Sequence, residues 1–228
     1  MTGYSDRINH ALAFAAKHHD QQVRKGTRLP YITAAPNVAI ILTRYGQDDE
    51  TVVAGILHDT IEDCVRGGYT REMLEQRIGD KFGDEVLRTV LSVVERRYDD
   101  EGTEMSSDER KDDLLRRLGE ATPRARWVAA ADLLHAGGTL LADLRRTEFP
   151  EAVWARVAGG REGAIRWFRR VYDRLKETGF DAPIMEELGS VAEMLEDLRD
   201  SGLGARDSDA GLGRAPPRRE DSGNYLRG

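Results

Sequence analysis

An all-α fold is predicted by three features of this sequence. Apolar residues recur at helical spacing in nearly every segment, and no stretch alternates as a half-buried strand would. Glycine, proline and capping residues fall between the periodic runs rather than inside them.

Ser5 is placed to cap a first helix, in which Ile8, Ala11, Leu12 and Ala15 share one face as the chain runs toward His19. Lys25-Gly26 and Pro30 break it. Val38, Ile41, Leu42 and Tyr45 form a second apolar face, closed by Gly46 at its C-terminus. Asp48, Asp49 and Glu50 suit the positive end of a third helix, whose face is Val52, Val53, Ile56 and Leu57. Thr70 opens a fourth helix, and the run from Phe82 to Arg97 predicts a fifth. Residues 98–109 carry no periodic apolar face, so a mobile acidic loop is expected there. Thr122-Pro123 then reads as a cap followed by proline at the first helical position, starting a stripe of Trp127, Ala130, Ala131, Leu134, Leu141 and Leu144. Pro150, Gly159-Gly160 and Gly179 punctuate two more helices, and a last one runs from about Pro183 to Leu198. Beyond Ser201 the composition shifts to Gly, Asp, Arg, Ser and Pro, too poor in apolar surface to offset ordering entropy. One helical domain over 1–200 and a flexible tail over 201–228 are therefore expected.

Composition excludes several function classes. The 228 residues carry 34 Lys+Arg against 41 Asp+Glu, a formal net charge of −7, which argues against wrapping a nucleic acid polymer. A single cysteine, Cys64, rules out an internal disulfide framework and a cysteine-based zinc knuckle. No leader and no membrane-length apolar run is found, so a cytoplasmic protein without a membrane partner is expected. Homo-oligomerisation is left open.

Three places carry chemistry. His58 and Glu62 are four apart, as are Asp59 and Asp63, so one helix crowds an imidazole with three carboxylates. A shared divalent metal relieves that repulsion, with His58 and Asp59 as ligands and Glu62 and Asp63 orienting or deprotonating water. The competing reading is a solvated acidic helix end. Asp132 sits in the apolar stripe Ala129-Ala130-Ala131-Asp132-Leu133-Leu134, where an unpaired buried carboxylate is costly, so it either binds something or caps a buried donor. His135, one turn on, faces the same region or packs in the core. The loop Arg24-Lys25-Gly26-Thr27-Arg28 gathers three cations in an otherwise acidic chain and suits phosphate, or is a solvated turn.

The stretch "ALAFAAKHHDQQVRKGTRLPYITAAPNVAIILTRYG" followed by "VVAGILHDTIED", with "AADLLHAGGTLLADLRR" later, resembles the HD superfamily of metal-dependent phosphohydrolases. It is most similar to the RelA/SpoT branch and the small alarmone hydrolases. The resemblance spans roughly residues 8–175 and implies an HD-type helical bundle. It implies His58, Asp59 and Asp132 as metal ligands, with manganese (Mn2+) the expected metal. Glu62 and Asp63 are implied as the pair that handles water. Arg24, Lys25 and Tyr31 are implied to line a pocket for a small phosphorylated nucleotide. The implied activity is removal of the 3′-pyrophosphate of guanosine tetra- or pentaphosphate, and some metazoan members take a phosphate from NADPH.

Three positions depart from that pattern. Ala34 stands where the family has a ligand histidine, Ala136 where it has an asparagine, and Leu133 where it has a basic residue. At most three side-chain ligands remain. The alternative to hydrolysis is a degenerate HD protein that binds a nucleotide or partner without turning it over.

Overall fold

The computed structural model describes residues 4–64 and 69–200, with the side chains of Asp63, Arg199 and Asp200 outside the description. The expectation for the tail 201–228 lies outside the described residues. Among the described residues, ten α-helices fold into one bundle and the only β pairing is two isolated bridges, Val23 with Pro30 and Tyr98 with Glu104.

Local chemistry explains where the helices begin. Helix α1 (Asp6–His18) is capped by Ser5, whose hydroxyl accepts from the Ile8 amide. A single turn over Tyr31–Thr33 leads into α2 (Ala34–Arg44). Helix α3 (Asp49–Asp63) is capped by Asp48, which accepts from the Thr51 amide. Val52, Val53, Ala54, Ile56, Leu57 and Ile61 are all buried. They surround α3 on every side, the pattern of a central helix. Accordingly α1, α2, α4 (Arg71–Phe82), α5 (Asp84–Val93) and α7 (Pro123–Arg145) all pack against it. On the far side of α7 lie α9 (Gly160–Glu177) and α10 (Ile184–Asp200), with the short α8 (Pro150–Trp154) between α7 and α9.

Two glycines set how closely these layers approach. A Cβ on Gly55 would fall 2.4 Å from Leu42 Cδ1, so α2 lies directly on the α3 backbone. A Cβ on Gly137 would fall 2.5 Å from Phe168 Cε2 and 2.7 Å from Val191 Cγ1, where α9 and α10 meet α7.

Two expectations are corrected. The fifth helix is shorter than Phe82 to Arg97: α4 runs through Phe82, Gly83 turns the chain at φ +93°, and α5 ends at Val93. Arg117 takes the carbonyls of Leu91, Ser92 and Val94, which replaces further helical bonding. The acidic stretch 98–109 is also not a plain loop. Asp99 Oδ1 accepts the amides of Glu101 and Thr103 at 3.0 and 2.7 Å. Helix α6 (Ser107–Glu120) then begins under a reciprocal Ser106–Glu109 capping box. Its Asp113 receives Arg96, Arg116 and Arg117, tying α6 to the end of α5.

Candidate active site

The site forms where α3 crosses α7. His58 is 5% exposed on the last turns of α3, and its Nδ1 lies 2.8 Å from the Gly55 carbonyl. A carbonyl only accepts, so Nδ1 holds a proton, and in the neutral ring Nε2 presents a lone pair. That Nε2 has no hydrogen-bond partner, yet it stands 3.0 Å from Asp59 Oδ1 and 3.4 Å from Asp132 Oδ1. Three electron-rich atoms therefore face one another at the cleft edge, and only a proton or a cation among them removes the repulsion. Burial opposes a charged His58, but the carboxylates of Asp59 and Asp132 outweigh it and raise its pKa well above the ordinary histidine value. Burial likewise pushes Asp59 up, and His58 outweighs it, so Asp59 titrates below the usual carboxylate range.

An orphaned imidazole nitrogen whose other nitrogen is anchored on a carbonyl is the arrangement of a metal-ligating histidine, so these residues fit a divalent cation. The fit is open rather than complete. Among the described residues no three His, Cys, Asp or Glu side chains close into a ready metal shell, and Ala34, at the start of α2, adds no donor. Asp132 is less buried than its stripe predicts: Ala130, Ala131, Leu133 and Leu134 are buried, but its own side chain is 45% exposed to the cleft.

That cleft, of about 500 Å3, is lined by Arg24, Lys25, Tyr31, Lys111, Asp132 and Trp167, with Leu140, Phe168 and Leu195 as an apolar back wall. The structure thus brings the basic loop to the acidic edge. The loop is shaped by its own bonds, Arg24 N to the Leu29 carbonyl and Tyr31 N to the Gln22 carbonyl, and Arg24 reaches Asp143 at 3.8 Å. Tyr31 donates to Asp59 Oδ2 at 3.3 Å.

Glu62 lies one turn beyond His58 but lines an adjoining cleft, with Tyr69, Arg71, Arg96, Arg97 and Arg110, and its Oε2 accepts the Glu95 amide at 3.3 Å. Glu95 borders both clefts. The Asp63 side chain lies outside the described residues. Asp99 and Asp100 do not line the main cleft, and Asp100 pairs with Arg96 at 2.7 Å. His135 is partly buried beside Thr139 Oγ1 at 3.5 Å, and burial lowers its pKa. Gly137 does not widen the pocket, because packing against Phe168 and Val191 uses its missing side chain. Sequence reasoning missed Lys111, Glu95 and Arg156 as cleft residues. Lys111 lies in the unrecognised α6, 5.8 Å from the Trp167 ring centroid, and a base at that position of a capped amphipathic helix was the available signal.

Residues 11–165 match the family model described as HD domain. The chain belongs to the HD domain family. Similarity to individual proteins follows the same segment. A guanosine-3′,5′-bis(diphosphate) 3′-pyrophosphohydrolase of Aquifex aeolicus is 36% identical over 91 residues, covering 40% of this chain and 12% of that protein. The protein of the same description from Xenopus tropicalis, MESH1, is 34% identical over 149 residues, covering 64% of this chain and 74% of that protein. The chain thus spans a small part of the longer bacterial relative and most of the Xenopus one. A solved structure described as a metazoan ortholog of SpoT that hydrolyzes ppGpp superposes with TM-score 0.63 at 23% identity, covering 89% of this chain and 99% of that chain. That superposition establishes the all-α HD fold.

Proposed function

We propose that this HD domain is a divalent-metal phosphohydrolase acting on a phosphorylated nucleotide, of the guanosine 3′,5′-bis(diphosphate) 3′-pyrophosphohydrolase kind. The observation that carries the reading is the buried His58 Nε2, without a hydrogen-bond partner, facing Asp59 and Asp132, the latter lining the cleft that also holds Arg24, Lys25 and Lys111. The similarity to hydrolases of that description supports it over a binding-only role.

His58, Asp59 and Asp132 would hold the metal, with manganese the proposed ion. When bound, it supplies Lewis-acid polarisation and a more acidic water. The chain's own residues do the rest. Arg24, Lys25 and Lys111 neutralise and orient phosphate oxygens, with Tyr31 on the same wall. Trp167 and the apolar back wall take the nucleoside portion and exclude water. Glu62 and Asp63, next along α3, would receive the proton that water loses as its oxygen bonds to phosphorus, which requires Glu62 to release the Glu95 amide and turn from the adjoining cleft. The bond from that phosphorus to the nucleoside 3′ oxygen breaks on the opposite side, so pyrophosphate leaves carrying the water oxygen and the 3′ oxygen takes up a proton to become a hydroxyl. No helix of the described residues is long and apolar enough to cross a membrane, in keeping with the cytoplasmic nucleotide pool as the proposed source of substrate.

The test is turnover of guanosine tetraphosphate by the purified chain with manganese and with chelator, followed as pyrophosphate release. Manganese-dependent release is the expected result. A chain that binds manganese and the nucleotide but releases nothing is the binding-only protein instead.

A further inference from the structure

The side chains that hold Asp59 run back in a chain to the end of α1. Tyr31 donates to Asp59 Oδ2, which leaves Oδ1 turned toward His58 Nε2. The Tyr31 ring stacks on His19, with centroids 5.2 Å apart and planes inclined by 27°. His19 is 2% exposed, as deeply buried as His58, although nothing in the proposed chemistry uses it. Its Nδ1 lies 2.6 Å from Gln22 Oε1, and Cys64 Sγ packs 3.5 Å from the same nitrogen. An amide oxygen only accepts, so Gln22 fixes both the tautomer and the tilt of the His19 ring. Among the described residues His19 joins no group of three that could hold a metal. The stacked Tyr31 ring is the side chain that links it to Asp59.

We propose that Gln22 and His19 are positioning residues for the metal: Gln22 locks the His19 ring, the ring locks Tyr31, and Tyr31 aims the Asp59 carboxylate. This rests on the phosphohydrolase reading given above. The arrangement matters more in this chain than in one with four ligands. With alanine at position 34, binding depends on three donors, and any rotor left free among them must be ordered by the metal itself. Asp132 is the more exposed of the two carboxylates, so a prearranged Asp59 supplies the fixed half of the pair.

The experiment titrates the full chain with Co2+ alone by calorimetry, since cobalt binds nitrogen and oxygen donors more tightly than manganese. The parent is compared with Gln22→Leu, Gln22→Glu and Tyr31→Phe. Removal of an outer partner lowers metal affinity by about 10–100-fold, the expected loss for Gln22→Leu and for Tyr31→Phe, which keeps the stack but not the donor. Gln22→Glu still accepts from Nδ1 and restores affinity close to the parent. Melting temperatures in chelator are expected to agree across the set. Unchanged cobalt affinity in both Gln22→Leu and Tyr31→Phe overturns the positioning role and leaves the phosphohydrolase reading intact. Loss of affinity matched by early melting in chelator, without rescue by Gln22→Glu, shows a structural role only and also overturns it. A parent chain that binds no cobalt overturns the phosphohydrolase reading itself.

Discussion

His58 Nε2 and Asp132 Oδ1 meet at 3.4 Å where α3 packs against α7. Asp132 carries that contact to the cleft, which it lines. Asp132→Ala removes one of three donors while leaving a half-exposed position with little packing to lose. Turnover with manganese is expected to fall by roughly 100-fold or more, beyond the loss seen for outer partners. Stability in chelator is expected to change by no more than about 0.5 kcal/mol, as for surface substitutions. Kinetics and urea denaturation of the same preparation check both statements.

Ala34→His places an imidazole at the first position of α2, where the HD resemblance expects a ligand. Manganese affinity is expected to rise by about 10–100-fold or more, read by calorimetry. Spectra of the cobalt-substituted variant are expected to show an added nitrogen ligand.

Arg24 and Lys25 are proposed to act on phosphate rather than on the metal. Arg24→Ala removes a charge-assisted hydrogen bond worth about 1.5–3 kcal/mol, so KM for guanosine tetraphosphate is expected to rise about 10–100-fold. Manganese affinity is expected to hold steady. Raising salt weakens the parent more than the variant, because the screened interaction is the one removed.

Gly137→Ala tests the packing of α7. Its new Cβ would lie 2.5 Å from the Phe168 ring, so ring and helix must shift, at a cost of about 1–3 kcal/mol in urea denaturation. Because Phe168 also walls the cleft, KM is expected to change with it.

Acid lability follows from Asp48 and Asp113. Burial pushes the Asp48 carboxyl up, but the hydrogen bonds from Arg124 and Thr51 outweigh it and bring the pKa down to about 2 from 3.8. For Asp113 burial also works upward, and Arg96, Arg117 and Arg116 drive the carboxyl lower still. A carboxylate depressed in the folded state contributes stability that is full above its unfolded pKa and is lost as pH falls through the folded one. Stability is therefore expected to be level above about pH 5 and to drop between about pH 4 and 2. Asp113→Asn is expected to flatten that drop while lowering stability at neutral pH, measured by chemical denaturation across the range.

Much of this was legible in the residues. The cap at Ser5, the acidic start of α3 and Thr122-Pro123 of α7 announce their helices because each satisfies backbone amides with its own side chain. His58, Asp59, Asp132, Arg24 and Lys25 reach one place because α3, α7 and the loop before α2 are fixed by those same local signals. Helix α6 was hidden because SDERKDDLLRRLGE delays its apolar residues to Leu114, Leu115 and Leu118, leaving only the Ser106–Glu109 box to mark its start. The end of α5 was overrun because Arg117, over twenty residues later, decides it. Packing across such distances leaves no local trace, and the adjoining cleft at Glu62 and the lock on His19 share that invisibility.

Helix α10 joins the cleft from the far end of the sequence: Leu195, 1% exposed, is part of its back wall, and Val191 beside it presses on Gly137. The pocket is thus finished only when the last described helix has docked. A ribosome that has released everything through α9 has made every proposed metal ligand and the basic loop, but not yet the enclosure that shields them. The proposed activity would then be acquired late in synthesis, and a protease that clips ahead of Leu195 would undo it without touching a single charged residue of the site.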